Sequence, residues 1–122
     1  LLDPDGVTWG MEARFADTQG TFANNLTSLP IWADRDGAGG VSQGNVTNAQ
    51  AGWFVDAANA NLHLAVTAIE AIDQVTPLAA VTADIDGDPR AGDAAADAGA
   101  DELFTLPPLD HSQFLPAILD FP

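Results

Sequence analysis

The chain has no cysteine, no lysine and only three arginines, Arg14, Arg35 and Arg90, among its 122 residues. Without cysteine it can form no disulfide, zinc–thiolate site or thiol nucleophile, and its redox compartment is not indicated. The formal net charge of -15 is opposite to the cationic surface that phosphate binding needs, so nucleic acid is not an expected partner. No apolar run is long enough for a membrane span. This acidic composition favours a secreted or cell-surface protein in a calcium-containing medium.

The chain does have enough apolar residues for a core. Hydrophobic residues make up 47% of it and the mean hydropathy is +0.06, values that fit one modest folded domain better than a disordered acidic tail. Near the start, apolar residues alternate with polar or small ones, at Val7, Trp9, Met11, Ala13 and Phe15. Alternation of this kind predicts a half-buried strand.

A repeat follows this strand. The triplet Asn25-Leu26-Thr27 recurs as Asn45-Val46-Thr47, and the spacing from Asn25 to Asn45 is called the repeat interval below. A tryptophan and an aspartate also recur at slightly longer spacings, Trp32 with Trp53 and Asp34 with Asp56. One coil of a parallel β-solenoid needs a period of about this length. We therefore expect stacked coils over residues 7–66, with a flexible turn at residues 34–40.

Stacked coils would bring Asn25 beside Asn45. Asparagine tolerates left-handed turn geometry, and its side-chain amide can hydrogen-bond to the coils above and below, so these two residues predict an asparagine ladder. Both triplets are also formal N-glycosylation acceptors, an alternative that stays open at this point. His63 lies between two leucines and is expected to pack or to make a single hydrogen bond, because no nucleophile or base accompanies it at a matching position.

The stretch DIDGDPRAGDAAADAGADE, residues 84–102, is acidic and glycine-rich and contains Arg90. It predicts a loop folded about a positive group. In the favoured interpretation, Asp97 and Glu102 clamp Arg90 through charge-assisted bonds and pin the loop across the final coil. In the other, calcium binds the alternating carboxylates of Asp84, Asp86 and Asp88. Pro89 and Ala95 occupy positions where an EF-hand loop has a glycine and a bidentate glutamate, so an EF-hand is not expected. Calcium binding by another geometry stays open.

The last segment, residues 103–122, is apolar and rich in proline. Its prolines prevent a long regular helix, and its apolar side chains need a cover. The segment is expected to pack on its own coils or on a neighbouring subunit, because a short β-solenoid has open ends that invite stacking. The residues predicted to serve assembly are Phe104, Phe114, Leu115, Ile118 and Phe121.

Several of these features together resemble a known family. The similarity runs from Asn45 through residues 53–58, 62–64 and 71–73 to the pattern Asp84-x-Asp86-Gly87-x-x-Arg90, followed by Asp97-x-Gly99-Ala100-x-Glu102. This resembles the C-terminal end of secreted bacterial right-handed parallel β-helix proteins of the pectate-lyase-like superfamily, choice-of-anchor type. The resemblance covers residues 7–102 and departs from the family at Asp93 and Ala98. It implies the last coils of a β-helix and the loop that closes it, with the catalytic groups of lyase members on earlier coils.

The sequence therefore predicts an all-β protein made of short right-handed parallel β-helix coils. Residues 1–102 would form the end module, with an acidic capping loop at residues 83–102 and the apolar segment after it. The expected function is that of a non-catalytic extracellular scaffold or self-assembling subunit, whose partner is itself or the rest of a longer β-helix chain. The alternative is the C-terminal part of a polysaccharide lyase or a carbohydrate-binding β-helix, in which tryptophans could stack on sugars.

Overall fold

The structure is a computed structural model that describes residues 8–90 and 95–104. These residues form short strands and turns. The helical segments among them are two single turns of 3₁₀ helix, Ala51–Trp53 and Ala57–Asn59. The strands are β1 (Met11–Arg14), β2 (Gln19–Ala23), β3 (Ile31–Arg35), β4 (Gly39–Gln43), β5 (Phe54–Asp56) and β6 (Asn61–Leu64). The all-β class predicted from the sequence is confirmed for this part of the chain.

The first four strands pair in parallel at nearly the spacing of the sequence repeat. β1 lies beside β3, with Met11 opposite Ile31, and β2 lies beside β4, with Gln19 opposite Gly39. An isolated parallel bridge joins Leu26 to Val46. Residues 31–46 therefore run parallel to residues 11–26, and the two segments are joined at two strand pairs and one isolated bridge. Almost every residue in these pairs is one repeat interval from its partner.

The turns between these strands also repeat. Asn24 and Gly44, which are separated by the repeat interval, both have positive φ, at 57° and 61°. A shift in register between β1 and β3 puts Arg14 opposite Arg35. The residues that follow, Phe15 and Asp36, again share a positive φ, at 75° and 51°. Asparagine, aspartate and glycine adopt this conformation at low cost, whereas phenylalanine does not. The four residues place turns at equivalent corners of the two segments.

Beyond residue 50 the arrangement changes. β5 and β6 pair antiparallel, with Phe54 opposite Leu64, whereas parallel stacking was expected as far as residue 66. The chain reverses through the 3₁₀ turn Ala57–Asn59 and through Ala60, whose φ is 61°. A connection this short can join only antiparallel strands, because a parallel pair needs a crossover of a dozen or more residues.

The main core lies under this hairpin. Trp53, Phe54 and Leu64 are at most 9% exposed and pack with completely buried alanines, Ala68, Ala71 and Ala98. Alanine has no Cγ, so the segments carrying these alanines can approach closely. The amide of Ala98 donates to the carbonyl of Ala71 at 2.8 Å, which ties residues 95–104 to the rest of the core.

Some local expectations need correction. The predicted strand at residues 7–15 is reduced to β1, and Phe15 is 61% exposed because its left-handed backbone ends the alternation. Asp34 and Arg35, expected in a turn, belong to β3. Residues 68–74 lie outside the helices and strands and form a hydrogen-bonded turn, in which the carbonyl of Ala68 accepts from the amide of Ile72 at 3.0 Å. Within the described ranges, no helix has the length and hydropathy that crossing a bilayer would require.

Candidate functional site

Asp84 organises the acidic loop. Its Oδ1 accepts hydrogen bonds from the amides of Asp86 at 2.9 Å and Asp88 at 2.8 Å, and its Oδ2 accepts from the amide of Glu102 at 3.2 Å. Burial disfavours the charge of Asp84, but these amide donors outweigh it and lower the pKa of the carboxyl group. The carboxylate therefore fixes the start of the acidic loop and attaches it to the end of the same loop at Glu102.

Arg90 connects the two ends of the acidic loop, an arrangement called the Arg90 closure below, and its side chain is only 9% exposed. Nη1 donates to the carbonyl of Gly99 at 2.7 Å, and Nη2 donates to the carbonyl of Asp97 at 2.5 Å. Nε lies 3.5 Å from a carboxylate oxygen of Glu102. The structure thus brings together the three residues of the predicted clamp, but Asp97 contributes its main-chain carbonyl to Arg90, in place of the expected carboxylate hydrogen bond.

The carboxylate of Asp97 instead holds the main chain on either side. Asp97 is 1% exposed, and its two oxygens accept from the amides of Asp73 and Leu103, both at 2.7 Å. Burial raises the pKa of Asp97 despite these donors. Burial likewise raises the pKa of Glu102, whose carboxylate accepts from the amide of Asp97 at 3.2 Å. The cluster fixes the main chain at the cost of placing carboxylates in a poorly solvated position.

The three carboxylates predicted to bind calcium are not gathered into one group. Among the described residues, two sets of side chains have ligand atoms within 4.8 Å of one another, His63 with Asp86 and Asp101, and Asp73 with Asp97 and Glu102. Asp84 is occupied by backbone amides, and Asp86 turns towards His63, with 2.8 Å between Oδ2 and Nε2. His63 precedes the acidic loop by some twenty residues, and Asp101 lies at the far end of the loop from Asp86. No local spacing in the sequence therefore indicated that these three residues meet.

Asn25 and Asn45 lie side by side. Oδ1 of Asn45 accepts from both the main-chain amide of Asn25, at 2.8 Å, and its side-chain amide, at 2.9 Å. The Nδ2 group of Asn45 donates onward to the carbonyl of Phe22 at 2.8 Å. Both asparagines are partly buried. The pair therefore links the two parallel segments directly at the corner after β2 and β4.

Two of the tryptophans form a separate surface feature. The rings of Trp9 and Trp32 stack with centroids 5.2 Å apart, and the guanidinium of Arg35 lies 5.1 Å and 4.8 Å from their centroids. Arg35 is held by Glu12 at 2.8 Å. Trp53, by contrast, is 8% exposed and belongs to the core. The stack joins β3 to the residues before β1 and leaves both rings half-buried.

A cavity of about 540 Å³ separates the parallel strands from the closing loop. Its wall is mainly apolar, and its larger apolar side chains are Met11, Leu26, Leu78, Val81 and Ile85. The polar residues of the wall are Asn24, Asn25, Asp84 and Arg90. Such a cavity has the size and the mixed lining of a small-ligand pocket. It lies directly beside the Arg90 closure.

Of the residues predicted to serve assembly, Phe104 is described and is 67% exposed. Phe114, Leu115, Ile118 and Phe121 lie outside the described residues. Other large apolar side chains are also exposed, with Val66 at 74%, Ile69 at 72% and Ile85 at 70%. Exposed apolar side chains therefore also occur outside the segment that the sequence singled out.

No family model, curated protein or solved structure matches this chain. The resemblance to β-helix proteins therefore stays a prediction.

Proposed function

We propose that this chain is a non-catalytic extracellular structural module, built from short right-handed parallel β-helix coils that stack on one another. The observation that carries the proposal is the parallel pairing of β1 with β3 and of β2 with β4, at the repeat interval in every pair but one. A chain that returns to lie beside itself in parallel at a regular spacing is what a solenoid requires.

The corners support this proposal as much as the strands. Positive φ recurs after β1 and β3 and again after β2 and β4. The bonds between Asn25 and Asn45 link equivalent positions of the two segments, as a ladder would. Right-handed winding is proposed because parallel strands joined by crossovers have this hand almost without exception. The antiparallel β5–β6 hairpin and the Arg90 closure would then form the end of the solenoid.

Stacking on another copy, or on the rest of a longer chain, is the second part of the proposal. Each strand belongs to a two-stranded sheet, so each has a second edge with no ladder partner among the described residues. Such edges are templates for further strand pairing. Phe104 lies on the segment that closes the module and is largely exposed. Burial of this apolar surface would favour association.

The decisive measurement is the size distribution of the purified chain over a range of concentrations, by sedimentation velocity and negative-stain imaging. We expect species well above the 12.6 kDa of one chain. Phe104→Asp should shift them towards the monomer, because a charge would be buried in the contact. Val66→Asp is the matched control, since Val66 is 74% exposed and lies outside the closing segment, and it should leave the distribution unchanged.

A wild-type chain that stays monomeric at every concentration would overturn the assembly proposal. The same measurement, repeated with calcium and then with a chelator, asks whether a bound cation links the copies. If the assemblies shorten on chelation, calcium is part of the contact between copies. If chelation leaves them unchanged, the contact does not contain calcium.

The polysaccharide-related alternative rests on the tryptophans. The stacked pair Trp9 and Trp32 is half-buried, and its neighbour Arg35 is already held by Glu12, while Trp53 is enclosed in the core. These constraints leave less aromatic surface for a sugar than the sequence alone suggested. The scaffold is therefore the function that the described contacts favour.

A further inference from the structure

The described residues bring one histidine and two carboxylates together at a place that the proposed scaffold function does not use. His63 lies on β6, and Asp86 and Asp101 lie near the two ends of the acidic loop, residues 84–102. One ligand atom from each lies within 4.8 Å of the other two. Residues this far apart in the sequence meet here only because the closing loop folds back over the β5–β6 hairpin.

The imidazole of His63 is oriented by a second contact. Its Nδ1 lies 2.6 Å from Oδ1 of Asn61, and its Nε2 lies 2.8 Å from a carboxylate oxygen of Asp86. A neutral ring that donates its Nδ1 proton to the Asn61 oxygen presents a bare lone pair at Nε2 to that carboxylate. Two lone pairs at this distance need a proton or a metal ion between them. Histidines that bind metals are commonly held by a carbonyl oxygen at the other ring nitrogen in this way.

Asp101 gives an independent indication of a cation. This residue is only 8% exposed, so more than nine-tenths of it is buried. One carboxylate oxygen accepts from the amide of Leu64 at 2.6 Å, and no other described residue donates a hydrogen bond to this side chain. A carboxylate this deeply buried beside a second carboxylate is stabilised by a positive partner.

Among the described residues, no arginine is available to pair with Asp86 or Asp101. All three arginines are engaged elsewhere, Arg14 with Asp36, Arg35 with Glu12 and Arg90 with Glu102. The chain has no lysine, and its net charge is -15. A cation from solution is therefore the natural complement of Asp86 and Asp101.

We propose that His63, Asp86 and Asp101 bind a divalent transition-metal ion such as Zn²⁺. An imidazole nitrogen with two carboxylates suits zinc and its neighbours, whereas calcium prefers oxygen ligands alone. Ligand atoms of a tetrahedral zinc site stand about 3.3 Å apart at bond lengths of about 2.0–2.1 Å. The 2.8 Å contact of His63 with Asp86 would open slightly to admit the ion. The ion would tie the hairpin to the closing loop.

The test is zinc binding to the full chain, measured by equilibrium dialysis and by the shift of the thermal unfolding midpoint on adding ZnCl₂. Wild type should bind one Zn²⁺ per chain and unfold at a higher temperature with zinc. His63→Gln and Asp86→Asn should each weaken binding at least tenfold and abolish the thermal shift. Asp86 has a side chain 51% exposed, so its variant should fold even if the histidine variant does not.

Two matched controls make the result specific. His111→Gln removes the chain's other histidine, and Asp88→Asn removes an acid of the same loop that lies outside the cluster, so both should keep wild-type zinc affinity. Absence of zinc binding in wild type, or unchanged affinity in both His63→Gln and Asp86→Asn, would overturn the proposal. Because affinity per chain is measured separately from particle size, failure of this site would leave the scaffold proposal untouched.

Discussion

Arg90 shows how a single side chain can close an otherwise acidic segment. Its guanidinium joins two main-chain carbonyls and one carboxylate, from Gly99, Asp97 and Glu102, and it is almost completely buried. Arginine suits this position because its planar group carries several donors in a fixed geometry. The interaction holds the segment that also supplies alanines to the core, so the loop and the core depend on the same residue.

Replacement of Arg90 by alanine should therefore unfold the module readily. Two part-buried carbonyls would lose their donor, and the poorly exposed carboxylate of Glu102 would lose its partner, at a cost of about 3 kcal/mol in the free energy of unfolding. Urea denaturation followed by the fluorescence of the buried Trp53 would measure this loss.

Arg14 provides the comparison for that experiment. It pairs with Asp36 and lies over the ring of Phe15, but its side chain is 43% exposed. An exposed ion pair contributes little to stability because water and salt screen it. Arg14→Ala should leave the unfolding midpoint nearly unchanged, and equal losses in the two variants would contradict a special role for Arg90.

At the scale of the elements, the pair β2 and β4 shows that two copies of a strand can have different environments. Gly20 and Gly40 stand opposite each other in the parallel ladder. A Cβ atom added at Gly40 would overlap the main-chain carbonyl of Ala33, while one added at Gly20 would meet no atom within 4 Å. The backbone of β3 thus packs closely against β4, and the equivalent side of β2 is open.

Alanine substitution at these two positions should separate the two environments. Gly40→Ala has to displace backbone, so we expect it to lower the free energy of unfolding by about 3 kcal/mol. The added methyl group of Gly20→Ala has space around it and reduces the conformational freedom of the unfolded chain. This variant should be neutral or more stable by roughly a few tenths of a kcal/mol. Chemical denaturation of both variants checks the prediction, and a Gly40→Ala protein as stable as Gly20→Ala would refute the close packing of β3 on β4.

Across the whole molecule, the sequence predicted best what depends on regular spacing. The repeat interval from Asn25 to Asn45 is also the usual interval between paired strand residues. The β5–β6 reversal could not be read in the same way, because Ala60 carries no signal for its left-handed conformation. The group of His63, Asp86 and Asp101 likewise depends on how distant segments close over each other. Tertiary contacts of that kind leave no periodic trace in one sequence.

The charge distribution of the whole molecule makes its stability depend on pH in a particular direction. Burial raises the pKa of Asp97 and Glu102 in the folded state, so the folded protein binds more protons than the unfolded chain between the ordinary carboxyl pKa and these raised values. The stability that these groups contribute is complete below the unfolded pKa and is lost as pH rises through the folded pKa. Asp84 has a lowered pKa, so its contribution is lost only as pH falls further, through that lower value.

We therefore expect the free energy of unfolding to rise as the pH is lowered from neutrality towards the carboxyl range, and to fall again in stronger acid. This rise from neutral pH towards the carboxyl range is called the first limb. Protonation there also reduces the repulsion among the acids that give the net charge of -15, which stabilises the fold further. Urea titrations at several pH values, in buffer with chelator, would measure the curve. Glu102→Gln keeps an acceptor for the amide of Asp97 but cannot titrate, so its first limb should be shallower than that of wild type. A wild-type stability that only decreases from neutral pH downwards, with the same slope in Glu102→Gln, would show that the buried carboxylates do not control the acid response.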